Sequence, residues 1–374
     1  MSVEATRCGP RAAGWAVATS ATKSRHRRSR RIWPIAVLGL LLTVGALPAT
    51  AEAHGPVAPV ASAYLAKIRH IPPGLEAKVV DGDLRMWMRV PADETVVVVD
   101  YQGAPYLTFS ASGVAVNENS AMYYLNMTPV PETPPTNLTA HTPPHWHKVS
   151  SGHVYEWHDG RLHALAAVAL TPGDSFVGRW NLPLRIDGHL TGITGGLWHA
   201  EDPSIVWFWP ILVLVACVLA AWRVRNPRLD ALVARVLAIV ALVCVTIAGL
   251  GVELHGRPTI TGLQMVELAL ILAFVGWGSS RALLRQPGYF TCFLIGVGAV
   301  WAGGVLVTTL VYGYVLILLP AFLARTVTVI NLGAGAALLL LVFRLADLSD
   351  RRARRSGAAD APDGELGGIS ESVV

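Results

Sequence analysis

Hydrophobic residues form long, predominantly apolar runs in the second half of this chain and short alternating segments in the first half. The long runs cover residues 204–222, 236–254, 265–284, 291–312 and 323–343. At about 1.5 Å per helical residue, each run could cross a hydrocarbon core about 30 Å thick. The pattern therefore predicts an all-α membrane domain of five transmembrane helices over residues 204–345.

The alternating segments within residues 54–203 are typical of β-strands joined by hairpins. LEAKVVDGDLRMWMRV alternates on both sides of an Asp81-Gly82 pair, and TVVVVDYQGAPYLTFS does so around a Gln-Gly pair. Residues 128–145 are rich in Pro and Thr, which excludes a central strand and predicts an extended loop. We expect one all-β domain with the fold of an Ig-like sandwich.

The segment HVYEWHDGRLHAL predicts a third hairpin, with Asp159 and Gly160 as its two-residue turn. Four polar side chains would then share one face of the hairpin: Glu156, His158, Arg161 and His163. Because two of them are histidines, His158 and His163 are a candidate metal-binding pair.

Residues 1–53 have the composition of a secretory signal peptide. A strongly basic segment, KSRHRRSRR, precedes an apolar stretch, and two overlapping Ala-x-Ala triplets end at Ala51 and Ala53. Cleavage after Ala53 would leave His54 as the first residue of the mature chain. Cleavage after Ala51 would leave Glu52 first, and the sequence leaves both positions open.

Basic residues beside the apolar runs predict the orientation in the membrane. Arginines are concentrated in the links after the first and third runs and in the tail, whereas the other links contain only Arg257. Because Lys and Arg favour the cytoplasmic side, we expect residues 54–203 outside the plasma membrane of a bacterium and the C-terminus in the cytoplasm. The tail, residues 346–374, ends in small and acidic residues and is expected to be disordered.

The amino-acid composition limits which class of protein this chain can belong to and which partners it can bind. A content of 53% hydrophobic and 15% charged residues excludes an ordinary soluble protein and makes the lipid bilayer a partner. The net charge of +5 comes from the leader and the links between apolar runs, so no nucleic acid is expected. Residues 54–203 contain 14 Asp and Glu against 9 Lys and Arg, and their field should attract cations.

Histidine is concentrated in the predicted outer domain, which contains ten of the twelve histidines. Neutral imidazole is a common ligand of copper and zinc, so a metal ion is an expected partner. His145 and His147 stand two residues apart on an extended chain. They should face the same side, which makes them a second candidate pair.

Residues 172–195, PGDSFVGRWNLPLRIDGHLTGITG, contain a Pro-Gly pair, a Trp, an Asp-Gly-His and a Gly in that order. This order resembles the closing strands of the periplasmic copper-resistance family called CopC. The resemblance implies a β-sandwich that binds copper(II) through its mature N-terminal histidine and the Asp-Gly-His residues. Carried over by position, the implied ligands are His54, Asp187 and His189.

A terminal amine and two imidazoles form a nitrogen set that suits copper(II), with zinc as the alternative metal. The CopC family is often accompanied by a membrane partner, CopD, implicated in copper uptake. A copper transporter or chaperone is therefore an implied partner, and the membrane helices could themselves be CopD-like.

Two functions from different classes remain open. The first is a membrane-anchored extracytoplasmic copper(II)-binding protein in copper tolerance, storage or delivery. The second is a membrane scaffold or sensor whose outer domain binds a protein partner without metal, for which AMYYLNM, as an exposed aromatic strand, is a candidate contact. A third hypothesis is a copper oxidase or monooxygenase that uses a terminal-histidine site. The sequence indicates neither a substrate groove nor a second redox centre for it, so no enzymatic activity is expected.

Overall fold

A computed structural model describes residues 59–127, 130–163, 175–224, 226–284 and 287–359, with side chains described up to residue 346. A β-rich region precedes a helical region, as the hydrophobic pattern predicts. The predicted signal peptide, its two cleavage positions and His54 lie outside the described residues.

Twelve strands are present in the described residues, and all of their pairings are antiparallel. They are β1 (Ala61–Ser62), β2 (Tyr64–His70), β3 (Glu76–Val80), β4 (Arg85–Arg89), β5 (Val96–Val99), β6 (Pro105–Ser110), β7 (Gly113–Asn117), β8 (Trp146–Ser150), β9 (Val154–His158), β10 (Phe176–Ile186), β11 (His189–His199) and β12 (Tyr314–Val315). Only β12 lies within the helical region.

Two sheets share one hydrophobic core. The large sheet has the order β2-β11-β10-β5-β6-β7-β8, and the small sheet has the order β3-β4-β9. Met86 and Met88 from the small sheet pack in the same cluster as Leu107, Phe109 and Leu184 from the large sheet. Burying these side chains drives the two sheets together. The predicted β domain is confirmed, whereas an immunoglobulin-like strand order stays a prediction.

Two of the three predicted hairpins are present. β3 and β4 pair around Asp81-Gly82, where both residues have positive φ angles, 58° and 84°. β5 and β6 pair around the Gln-Gly turn. Residues 130–145 contain no strand, which agrees with the predicted loop.

The third hairpin prediction is wrong, because β9 pairs with β4 and a 3-10 turn over Gly160–Leu162 follows it. The Asp159 carboxylate accepts a hydrogen bond from the Arg161 backbone N–H at 3.1 Å. This contact caps a 3-10 turn, so Asp159 and Gly160 do not reverse the chain as a hairpin.

The predicted aromatic strand AMYYLNM is also wrong, since its first five residues form the short helix α1 (Ala121–Leu125). The Ser120 hydroxyl caps this helix by accepting a hydrogen bond from the Met122 N–H at 3.3 Å. Met122 is fully buried in the β core, and this contact anchors the turn of helix.

The helical region begins with a 3-10 turn over Ile205–Phe208 and contains α2 (Trp209–Val224), α3 (Pro227–Glu253), α4 (Gly262–Leu284), α5 (Tyr289–Val305), a 3-10 turn over Val307–Leu310, and α6 (Ala321–Ala359). Within the part of the chain that the structure describes, four helical segments are long and apolar enough to cross a membrane: Ile205–Val224, α3, α4 and the first part of α6.

The fourth predicted run does not form one long helix. α5 has 17 residues, which correspond to about 26 Å and fall short of a hydrocarbon core of about 30 Å. The chain then tightens into the 3-10 turn over Val307–Leu310. Four candidate membrane helices are thus present, and the crossing by α5 stays a prediction.

The last helix continues further than the hydrophobic pattern predicts. α6 extends to Ala359, so the expected boundary at residue 345 falls within a helix. Residues 346–359 are rich in Ala and Arg, which have high helix propensity. Residues 346–359 thus continue α6, and the disorder expected of the tail stays a prediction.

The β domain contacts the helical region at two loops. β1 pairs with β12 in the loop between α5 and α6, and the Leu316 N–H donates a hydrogen bond to the Val60 oxygen at 2.8 Å. At the loop between α3 and α4, the Lys78 ammonium donates to the Pro258 oxygen at 3.2 Å. Both loops therefore lie on the side of the helices that faces the β domain.

Candidate functional site

His158 and His163 lie against each other, as the sequence predicted, although no hairpin brings them together. Their Nε2 atoms are 2.9 Å apart and their ring centroids are 4.9 Å apart. His158 ends β9, and His163 directly follows the 3-10 turn. The 3-10 turn thus brings the two imidazoles together, whereas the sequence predicted that a two-residue hairpin turn would do so.

A buried ion pair fixes the turn between the two histidines. The Asp159 carboxylate accepts hydrogen bonds from the Trp157 indole and from Arg161 Nε, each at 2.8 Å. Arg161 also donates to the Val99 oxygen at 2.6 Å, which ties the turn to the large sheet. Burial raises the pKa of Asp159, but the charge and hydrogen bonds of Arg161 lower it below the ordinary value. Such a satisfied buried network holds a loop in one geometry.

A carboxylate lies behind the pair. Asp83 Oδ2 is 3.2 Å from His163 Nδ1, and Asp83 is only 7% exposed. A carboxylate in this position favours a proton on Nδ1, which leaves the Nε2 lone pair directed at His158. Histidines that bind metals are commonly oriented in this way by an acidic partner.

The two Nε2 atoms could either share a proton or bind one cation. Two nitrogen ligands at about 2.0–2.1 Å from a tetrahedral metal lie about 3.3 Å apart, so binding requires a small opening of the pair. In the described part of the chain, no group of three or more His, Cys, Asp or Glu is arranged to hold a metal ion. The protein therefore offers two imidazole ligands here, and water would supply the others.

One member of the pair, His163, lines a cavity of about 460 Å³. Tyr101, Arg161, Trp180 and Asn181 are among the other residues that line it, whereas His158 is not. The His163 side chain is 23% exposed. A hydrated ion in the cavity would thus contact His163 first.

The Asp81-Gly82 turn that precedes Asp83 faces the loop between α3 and α4. Burial lowers the pKa of His255 in that loop, as does the neighbouring Arg257, while Asp81 opposes the change. Arg85 forms an ion pair with Asp81 and a second one with Glu156 at 2.5 Å. The histidine pair therefore adjoins the part of the β domain that contacts the membrane helices.

His145 and His147 share a side of the chain, as predicted. His145 Nδ1 lies 2.7 Å from one oxygen of Glu118, and His147 Nδ1 lies 4.0 Å from the other oxygen. Both imidazoles are well exposed, at 71% and 64%. Because their Nδ1 atoms are directed at a carboxylate, the arrangement is a solvent-exposed contact between two imidazoles and Glu118, and such surface contacts have little energetic weight.

Asp187 and His189 lie at the turn between β10 and β11. The register closes with Ile186 opposite His189, and Asp187 and Gly188 have φ angles of 47° and 86°. The Asp187 carboxylate accepts a hydrogen bond from the Thr95 backbone N–H at 3.3 Å. Asp-Gly is thus a tight hairpin turn, and both Asp187 and His189 are exposed.

The third implied ligand, His54, lies outside the described residues, but its reach can be bounded. Tyr64 of β2 pairs with His199, the last residue of β11. The chain therefore enters the domain at the His199 end of β11, and His189 lies at the other end of that strand. Along β11 those ends are separated by about 33 Å. The seven residues from His54 to Val60 make six Cα–Cα steps, which span at most about 22 Å. Because this reach is shorter than the distance along β11, joining the three implied ligands would require Val60 and Ala61 to leave their contacts with the loop between α5 and α6.

Sequence reasoning missed the two carboxylates that orient the candidate imidazoles. Asp83 belongs to an Asp-Gly-Asp turn that was recognised only as a turn, and it meets His163 through the fold. Glu118 is 27 residues from His145 in the chain, and no local pattern connects them. Comparison of the chain with protein-family models, curated proteins and solved structures finds no match in any of the three.

Proposed function

We propose that this chain is a membrane-anchored extracytoplasmic protein that binds copper(II) or zinc at His158 and His163. Its role would be metal tolerance, storage or delivery, with a copper transporter or chaperone as the partner. The observation that carries the proposal is the 2.9 Å separation of the two Nε2 atoms, with Asp83 behind one ring.

Each residue has a defined part in this proposal. The two imidazoles bind the metal through Nε2, and Asp83 holds the His163 ring and its tautomer. The buried Asp159–Arg161 pair fixes the turn that brings the rings together. Because imidazole binds a metal only when neutral, affinity should fall as the solution is made more acidic.

The proposed orientation places the β domain, with an immunoglobulin-like arrangement, outside the plasma membrane of a bacterium. Contacts support five crossings: the loops α3–α4 and α5–α6 both lie at the β domain. A chain that leaves this side through α2 and α4 must return through α3 and α5. The short α5 would then cross with the help of the 3-10 turn that follows it.

The ligand set implied by the CopC resemblance, His54, Asp187 and His189, is a separate proposal. It would require signal cleavage after Ala53, and N-terminal sequencing of the mature protein tests that step. A preference for copper(II) over zinc depends on this terminal amine, whereas the imidazole pair suits either metal.

Metal titration of the full-length protein in detergent tests the His158–His163 site. His163→Ala and His158→Ala should each abolish the copper(II)- or zinc-dependent signal. Asp83→Asn should weaken binding by about 10–100-fold, because it removes only the orienting carboxylate. His141→Ala, in the exposed loop, is the matched control and should bind like the native protein.

The same titration separates the alternatives. Affinity that survives in His158→Ala and His163→Ala but is lost in His189→Ala would assign the metal to the Asp-Gly-His turn instead. No binding by any variant or by the native protein would leave the scaffold or sensor as the remaining function.

A further inference from the structure

The large sheet carries charge of one sign only. Its seven strands contain five Lys and Arg residues and no Asp or Glu. The five are Lys67, Arg69, Lys148, Arg179 and Arg185, and all of them are exposed. Among the described residues, none of the five forms an ion pair with a carboxylate. The domain as a whole is acidic, so its charges are segregated.

The strand register places these side chains on the outer face. Trp180, Leu182 and Leu184 of β10 lie in the core, so the alternating residues Arg179 and Arg185 point away from it. Arg179 and Lys67 both pair with Gly196 of β11 and form one row across three strands. Arg185 and Lys148 belong to a second row, which runs through β5, β6 and β7.

Two aromatic rings lie beside the row of basic residues at Gly196. Phe176 and Trp198 have centroids 5.4 Å apart. The Arg69 guanidinium carbon lies 5.5 Å and 5.4 Å from these two rings, and Lys67 Nζ lies 5.5 Å from the Trp198 ring. Rings and cations thus form one surface patch, here called the basic-aromatic patch: Lys67, Arg69, Phe176, Arg179 and Trp198.

The patch lies at the end of the sheet that meets the membrane helices. Two residues after Trp198, Ala200 packs directly against Gly313 in the loop between α5 and α6. The first membrane helix begins a few residues later, and its Trp209 is 57% exposed. Two strand residues cover about 7 Å, which is comparable to the lipid headgroup layer of about 5–7 Å on each side of the hydrocarbon. Lys67 Nζ and the Arg69 guanidinium lie against the Trp198 ring and therefore share this level. Arg179 is level with Gly196, about 13 Å from Ala200, and only its long side chain can extend toward the headgroups.

We propose that the basic-aromatic patch binds the headgroups of anionic phospholipids in the leaflet on which the β domain stands. The cations match the phosphate charge, and aromatic rings favour the boundary between headgroups and hydrocarbon. Arg185 lies six residues beyond Arg179 along β10, about 20 Å further from the membrane. Arg185 and Lys148 are therefore out of reach of the headgroups. The proposal does not depend on metal binding.

The test uses the full-length protein in neutral detergent. Short-chain phosphatidylglycerol or phosphatidylcholine is titrated while tryptophan fluorescence is recorded. Phosphatidylglycerol should bind more tightly. Since each basic residue near an anionic surface contributes about a factor of five, Lys67→Gln/Arg69→Gln/Arg179→Gln should lower that affinity roughly 100-fold. Lys148→Gln/Arg185→Gln, on the same face, should leave it unchanged.

Equal binding of the two lipids would overturn the proposal. So would an equal loss of affinity in the two variants, because that result indicates a soluble polyanion covering the whole face. Circular dichroism of both variants checks that the fold is retained. Retained folding with no loss of affinity in the triple variant would also refute the assignment.

Discussion

At the scale of single residues, the buried ion pair between Asp159 and Arg161 is the contact whose disruption should lower stability most. Asp159 is fully buried and Arg161 is 8% exposed. A buried ion pair adds little compared with apolar packing, but removing one member leaves an unpaired charge in the core. The pair therefore stabilises the turn that carries His158 and His163 only while both members are present.

Arg161→Met should lower the free energy of unfolding by about 3–5 kcal/mol, measured by denaturant unfolding of the full-length protein. Arg89→Met removes the exposed pair with Glu76 at 3.2 Å and serves as the control, expected to cost less than about 1 kcal/mol. Equal losses in the two variants would show that the buried pair has no special weight.

The pH dependence of the native protein follows from the same pair. The pKa of Asp159 in the folded protein is lowered from its ordinary value of 3.8. Its contribution to stability is therefore complete above that value and is lost as the pH falls through the folded-state pKa.

The sequence predicted those features that depend on neighbouring residues in the chain. Asp81-Gly82 forms a turn, and β3 pairs with β4 around it, because strand alternation and turn propensity act over a few residues. Asp83 and Glu118 were missed as partners of histidines, because those contacts join distant parts of the chain. The pairing of His158 with His163 was predicted through the wrong local structure.

At the scale of elements, the β10–β11 hairpin depends on a close approach. A side chain at Gly195 would collide with the Trp180 ring and with the Lys67 backbone oxygen, so the strands could not keep their spacing. Trp180 is itself fixed, because its indole donates to the Gly196 oxygen at 3.0 Å. β11 therefore requires glycine at residue 195, because there is no space for a side chain between Trp180 and the β2 backbone.

Gly195→Ala should destabilise the β domain by at least about 1–3 kcal/mol, the usual cost of overpacking a core. Gly178→Ala, in the neighbouring strand, has no atom within 4 Å of the added carbon and is the matched control. Thermal unfolding followed by tryptophan fluorescence measures both. A native-like midpoint for Gly195→Ala would mean that Trp180 can move aside.

Elements were predicted best where one periodicity acts over many residues. The apolar runs correspond to helices because length and composition alone determine them. The third hairpin failed because an Asp side chain capped a 3-10 turn, and AMYYLNM failed because Ser120 capped a helix. In both cases one side-chain hydrogen bond outweighed the alternation pattern.

At the scale of the whole molecule, the number of crossings decides where the tail lies. If α5 crosses the membrane together with the 3-10 turn that follows it, Gly288 before the helix and Val311 after the turn lie on opposite sides. With the native cysteines replaced by alanine, Val311→Cys should react with an impermeant thiol reagent added outside cells. Gly288→Cys should react only after permeabilisation, and Thr259→Cys in the loop between α3 and α4 is a second outside reference. Labelling of Gly288→Cys from outside would contradict five crossings.

The pairing of β1 with β12 has a consequence for how the molecule is made. Ala61 emerges from the ribosome early, whereas its partner Val315 is synthesised only after most of the helices. The β domain must therefore keep β1 unpaired until the loop between α5 and α6 has been synthesised. Completion of this small sheet thus depends on the last helical loop reaching the β domain.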